Sequence, residues 1–264
     1  MLREQIKKDF GLDLPISGGN ANSLNDAMSI HSSDKTEVSW VEMHVLRVVL
    51  GIRKWHWRCI AKEIDLSAGH LIEKVVCETK YLSGDTVHID KRNFYFKLDG
   101  LETKQKEIIQ LPVIAVRGMG FSVPYQIGWL HYDNLINNED KYPGMGVTVA
   151  YSMPNAKATL YIYDKGEKII DSVQEPASFQ QEFESAINSY MSMNPEMGSP
   201  TNHSYPNFLM SVFVENKNYS AICLGTYQNK YVKFRLTSDD CIERFKFECV
   251  QDSIGIFFSL FGKN

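Results

Sequence analysis

The sequence predicts an α+β fold made of two units, each an antiparallel sheet covered by helices, and three observations lead there. Strand-like runs come in groups joined by short turns, helical runs stand at the edges of those groups, and the regular strand–helix–strand alternation of a parallel sheet is missing. A chain of 264 residues suits two domains of ordinary size. The most polar stretch of the middle, Asp99-Gly100-Leu101-Glu102-Thr103-Lys104-Gln105-Lys106-Glu107, sets the expected boundary, giving an N-terminal α+β domain over 1–100 and a C-terminal one over 108–264. Limited proteolysis is expected to cut first between 102 and 106, where there is little to bury.

In the first half, Ser39-Trp40-Val41-Glu42 matches a capping box, so a helix is expected to start there. Val41, Val45, Val48 and Val49 recur at helical spacing, and Gly51 can end the helix. Trp55, Trp57, Cys59 and Ala61 then alternate with His56, Arg58, Ile60 and Lys62, which predicts a strand with the tryptophans inward and His56 partly exposed. A turn at Ser67-Ala68-Gly69 leads to strands over 71–79 and 86–98, so a helix should lie on an antiparallel meander.

In the second half, strands over 147–151 and 158–163 flank Met153-Pro154-Asn155-Ala156, a hairpin turn. From Pro176 to about 191, Phe179, Phe183, Ala186, Ile187 and Tyr190 make one apolar helical face, and Ser178 with Gln181 could cap the helix. Strands over 208–215, 219–227 and 231–236 follow as a meander, and Ser238-Asp239-Asp240 should cap a final helix carrying Ile242, Phe245, Cys249, Val250 and Ile254 inward.

Composition excludes several classes. Apolar residues at 44% against 23% charged describe a chain with a sizeable core. A net charge of −4 with scattered Lys and Arg argues against a nucleic-acid partner. The start mixes acids and bases where a secretory signal needs an apolar run. No stretch reaches the roughly 18 apolar residues of a membrane span, so no membrane is expected and the compartment is read as cytoplasmic. The cysteines Cys59, Cys77, Cys223, Cys241 and Cys249 are odd in number and lack a CxxC pair, which reads as buried free thiols.

Leu14-Pro15-Ile16-Ser17-Gly18-Gly19-Asn20-Ala21-Asn22-Ser23 resembles the opening segment of small uncharacterised bacterial proteins of cytoplasmic type, with Ala21 where that pattern carries a third glycine. The segment Pro143-Gly144-Met145-Gly146-Val147-Thr148-Val149-Ala150-Tyr151, with Ala158-Thr159-Leu160-Tyr161-Ile162-Tyr163-Asp164 after it, resembles a second group of bacterial proteins of unknown function. The resemblances imply a bacterial origin and a two-part layout, and they imply no catalytic residue.

Two places are candidates for binding. Gly18, Gly19 and Asn20 could turn backbone N–H groups toward an anion, although Ser23-Leu24-Asn25 stands where a phosphate loop has Lys-Ser/Thr; the alternative is a structural turn. The glycine-rich, aromatic stretch from Gly118 to Asp133 offers Trp129, His131, Tyr132 and Asp133 as protein-binding anchors, the alternative being that Trp129 and Tyr132 plug the second core. A further loop over 192–206 carries Met193 and Met197, which adapt to varied partners.

No catalytic residue, metal site or cofactor is expected. The histidines form no HxH or HExxH pattern, and no G-x-S-x-G elbow is present. These readings make the chain a non-enzymatic cytoplasmic protein that binds another protein, of the toxin-neutralising immunity or accessory kind. The alternative is a hydrolase whose site assembles only in the fold.

Overall fold

The computed structural model describes residues 2–51, 55–67, 69–101, 113–116, 121–166, 176–205, 208–216, 218–239 and 244–261. Its contacts divide the chain into two compact units, Met1–Gln126 and Ile127–Asn264. The polar stretch 102–107 lies outside the described residues.

The first unit opens with α1 (Leu2–Phe10), followed by β1 (Ile16–Gly18), β2 (Met28–His31) and α2 (Lys35–Gly51). Three long strands follow, β3 (His56–Ser67), β4 (His70–Ser83) and β5 (Thr86–Asp99), then a ribbon of β6 (Val113–Val116) and β7 (Phe121–Pro124). The sheet runs β1-β2-β5-β4-β3, antiparallel except that β2 lies parallel to β5. Val41, Val45 and Leu46 of α2 are buried along with Val75, Phe94 and Phe96 of the sheet, so the expected helix on an antiparallel meander is present.

Two details of this unit depart from the sequence reading. Helix α2 begins one turn before Ser39, so Ser39 and Glu42 are buried mid-helix residues rather than a capping box. The upstream serine does the local work: Ser32 Oγ donates to Glu37 Oε2 at 2.5 Å and accepts from the Asp34 N–H at 3.1 Å.

The second departure is a β-bulge. Cys59 pairs with Cys77 but Ala61 pairs with Val76, leaving Ile60 as the extra residue. One inserted residue exchanges the faces of all that follow. Trp57 and Cys59 are buried as expected, yet Ala61 is exposed and Lys62, assigned to the outer face, is buried. His56 is also buried, and it is Trp55 that stays half-exposed.

The second unit has an eight-stranded sheet ordered β12-β13-β14-β15-β11-β10-β9-β8. The strands are β8 (Gln126–Ile127), β9 (Leu130–Asn137), β10 (Val147–Met153), β11 (Ala156–Tyr163), β12 (Thr201–Tyr205), β13 (Phe208–Glu215), β14 (Asn218–Tyr227) and β15 (Lys230–Ser238). The expected hairpin closes through Pro154-Asn155, with Met153 opposite Ala156 and Asn155 at φ 64°, a left-handed conformation that asparagine tolerates.

Helix α3 (Pro176–Met193) covers one face of that sheet; it starts two residues before Ser178, which therefore lies inside the first turn rather than at the expected cap. Its Phe183, Ile187 and Tyr190 form a cluster with Phe213, Ile222, Leu224 and Tyr231. Helix α4 (Arg244–Phe261) covers the other face, where Phe257 stacks on Phe234 with ring centroids 4.4 Å apart and meets Phe208 edge-on. The cap expected at Ser238-Asp239-Asp240 falls partly outside the described residues. Of the loop 192–206, Met197 is buried against α3's cluster, while all five residues of the edge strand β12 are exposed.

Candidate functional site

The glycine loop is held from inside. Gly18 takes φ 81° and Ala21, standing where glycine is usual in the resembling segment, takes φ 62°. The Asn20 N–H donates to Asp26 Oδ2 at 3.2 Å and the Ala21 N–H to the Asp26 carbonyl at 2.9 Å. Two donors an anion would need are therefore occupied, and the Asp26 carboxylate adds a like charge beside them. Gly18, Gly19 and Asn20 do line a cavity of about 240 Å³ with Arg3, Glu4, Ile16 and Met28, and the Arg3 guanidinium is itself paired with Asp13 at 2.8 Å. Gly19 has a steric role: a Cβ there would lie 2.2 Å from the Asp26 carbonyl oxygen. Gly19→Ala is expected to cost roughly 1–3 kcal/mol of stability, read from urea denaturation.

The second candidate group is split by burial. Trp129 is 1% exposed; its Nε1–H donates to Asp252 Oδ2 at 3.0 Å and its backbone N–H to Ser253 Oγ at 3.0 Å. As a core side chain in β9's approach to α4, its ring is not available to anchor a partner. His131 is buried, Tyr132 is half-buried and packs edge-on to Tyr151 at 6.4 Å, and only Asp133 is exposed. The four residues form no common exposed surface.

A surface that the sequence reading passed over is the far end of the β4–β5 hairpin. The two strands pair from Ile72–Lys97 out to Ser83–Thr86 and close through Gly84-Asp85, with Gly84 at φ 62° as the tight hairpin turn requires. Fourteen strand residues reach roughly 45 Å, whereas the 17 residues of α2 span roughly 26 Å, so the helix cannot cover the whole hairpin.

The uncovered arm is apolar on one face, where Leu82, Val87 and Ile89 are 39%, 38% and 59% exposed. On its opposite face Trp55 stacks on Tyr81 at 4.9 Å and Tyr81 on His88 at 5.2 Å. The Arg92 guanidinium lies 4.1 Å from the centre of the Trp55 ring, and Tyr81 OH donates to Asp90 Oδ2 at 3.1 Å. The signal was present in the sequence: strand alternation of apolar residues continues through Leu82 and Ile89, past the length that one helix covers.

The buried charges of the first unit lie elsewhere, beneath α2. Lys62 forms ion pairs with Glu42 and, at 3.1 Å, with Glu73 Oε1, and the three side chains are 1%, 0% and 0% exposed. Burial pushes the Glu42 carboxyl well above its usual range, opposed by Lys62 and reinforced by the charge of Glu73 and a hydrogen bond to it. Burial works against the Lys62 ammonium, but the two carboxylates outweigh it and hold its pKa above the ordinary lysine value. Beside them Cys59 Sγ lies 3.7 Å from Cys77 Sγ, and that hydrogen bond together with burial raises the Cys77 thiol. All four described cysteines are buried and free. Closed off from solvent, these groups have no route to a substrate.

Among the described residues no three His, Cys, Asp or Glu side chains are grouped as metal ligands, and no helix is long and apolar enough to cross a membrane.

No family model matches the chain, and no curated protein matches it. Among solved structures, a GTP-binding regulator from Thermotoga maritima is similar at 14% identity over 46% of this chain and 74% of that one, with a TM-score of 0.22. The apo immunity protein TplEi of T6SS from Pseudomonas aeruginosa is similar at 9% identity over 79% of this chain and 77% of that one, with a TM-score of 0.23. Likeness at this level leaves function to be argued from the chain's own surfaces.

Proposed function

We propose that the chain is a non-enzymatic binding protein that neutralises or accompanies another protein, gripping it with the β4–β5 arm. The carrying observation is the uncovered arm, with Leu82, Val87 and Ile89 on one face and the Trp55–Tyr81–His88 stack with Arg92 on the other. Exposed aliphatics grouped on a projecting hairpin lose water favourably when a partner closes over them. Tryptophan, tyrosine and arginine are the residues that most often dominate such contacts, since their large rigid groups bury area at small entropic cost. Stacking already fixes the rings here, which lowers the ordering cost further. A reducing cytoplasm is the setting in which the buried thiols stay free.

The test is affinity capture with the full chain as bait, beside a variant carrying Val87→Asp and Ile89→Asp. The captured partner should bind the variant at least thirtyfold more weakly, about 2 kcal/mol. Circular dichroism should match the parent and the melting temperature should fall only slightly, because the two side chains are 38% and 59% exposed. Equal capture by parent and variant would remove the arm from the interface. Turnover of a substrate by the purified chain would favour a hydrolase instead.

A further inference from the structure

The second unit contains a cleft of about 190 Å³ between α3 and the sheet. Tyr161, Ile222, Lys233 and Arg235 form its floor, and Ser189 and Tyr190 of α3 form its wall. Lys233 and Arg235 are two residues apart on β15, so they project from the same face. The Lys233 ammonium lies 4.9 Å from the centre of the Tyr161 ring and 5.3 Å from that of Tyr163, and the Arg235 guanidinium lies 4.6 Å from that of Tyr190. Tyr190 is itself fixed, donating from its hydroxyl to Ser220 Oγ at 2.8 Å.

Neither cation meets a carboxylate among the described residues. Among the described residues Glu182 is the acid that acts on Lys233, and both its oxygens are taken, Oε1 by the Tyr163 hydroxyl at 2.5 Å and Oε2 by Lys165. Two half-buried cations on aromatic faces, with no counter-ion among the described residues, form an electrostatic site for an anion. Burial holds the Lys233 ammonium below its usual range, and the positive charges of Lys165 and Arg235 push the same way against Glu182. An arriving anion relieves that repulsion.

We propose that this cleft binds a small phosphate monoester, its oxygens held by Lys233 and Arg235 and its organic group resting on the Tyr161 and Tyr190 rings. The guanidinium over Tyr190 offers N–H donors in a fork that suits two oxygens, and the lysine supplies a mobile point charge for a third. A doubly charged head matches two cations, and the flat apolar walls match an attached ring or chain. The site is in the second unit and is independent of the arm.

The experiment is calorimetric titration of the full chain with phenyl phosphate, inorganic phosphate and benzoate in turn. Phenyl phosphate should bind saturably and at least tenfold more tightly than inorganic phosphate, which lacks the ring, and than benzoate, which lacks the second charge. Lys233→Met and Arg235→Met should each weaken phenyl phosphate at least tenfold, and Lys233→Arg should retain it. Ser189→Trp, which narrows the mouth from an exposed helix position, should weaken it without touching either cation. Melting curves show whether each variant is folded. Absence of saturable binding by the parent, benzoate binding as tightly as phenyl phosphate, or unchanged binding in a folded Lys233→Met Arg235→Met double variant would each overturn the proposal.

Discussion

Lys62→Met is expected to lower stability by roughly 3–5 kcal/mol, the range for removing one partner from a buried ion group. Glu42 and Glu73 would remain fully buried with no cation between them, and methionine offers neither charge nor a donor. Glu42→Gln is expected to cost far less, under about 1 kcal/mol, because the amide keeps the shape and the Glu73–Lys62 pair stays neutral overall. Urea denaturation of the three proteins measures this ordering, and comparable midpoints for parent and Lys62→Met would mean that the charges are not enclosed.

The same group sets a pH dependence of definite sign. Glu42's folded pKa is raised above the 4.5 of a free glutamate, so its contribution is complete below that pH and is lost as pH rises through the raised value. Lys62's folded pKa is also raised, so its contribution persists to a higher pH than an ordinary lysine's would. The stability difference between parent and Glu42→Gln should therefore shift against the parent as pH climbs from acid toward neutral and beyond. An inward lysine beside a bulge also suits β3, the last strand in its sheet's order, since both features discourage another strand from pairing there. Lys62→Met should thus aggregate more readily as well as melt earlier.

What the sequence revealed and what it hid divides along the range of the forces involved. The hairpin at Pro154-Asn155 is legible because turn chemistry and alternation are properties of neighbouring residues. The three-residue β1 and four-residue β2 are too short to show a period, and β2's parallel pairing with β5 joins segments that share no local pattern. The bulge at Ile60 is invisible to a period-two reading, since the inserted residue looks like any other alternating one, yet it decides that Lys62 points inward. Ser39-Trp40-Val41-Glu42 matched a capping box in letters alone. An earlier serine and aspartate began the helix and left Glu42 to face Lys62.

The candidate sites follow the same division. That Lys233 and Arg235 share a face could be read from their spacing, but that no carboxylate among the described residues meets them is a fact of tertiary packing. The arm's exposure likewise depends on where α2 stops relative to the hairpin, which no residue of the hairpin records.

Trp129→Ala is expected to remove roughly 3–5 kcal/mol, as large aromatic truncations in cores do. The indole is 1% exposed, and its loss leaves a void beside α4 and strips the Asp252 carboxylate of the Nε1–H donor 3.0 Å away. The partner helix lies 123 residues along the chain from the ring, so the contact fastens α4 across the end of the sheet rather than stabilising a local turn. Gly128 shows how close the approach is: it takes φ 60°, and a Cβ there would stand 2.6 Å from Ser253 Cα. Trp129→Phe separates the two losses, keeping most of the ring and removing the donor, and should cost about 1–2 kcal/mol. Tyr132→Ala, at a half-buried position against Tyr151, should fall below Trp129→Ala. Thermal melts of the three variants test the ordering. A near-parental melting temperature for Trp129→Ala, coupled with loss of the captured partner, would return the indole to the surface and make it the anchor that its place in a glycine-rich aromatic stretch first suggested.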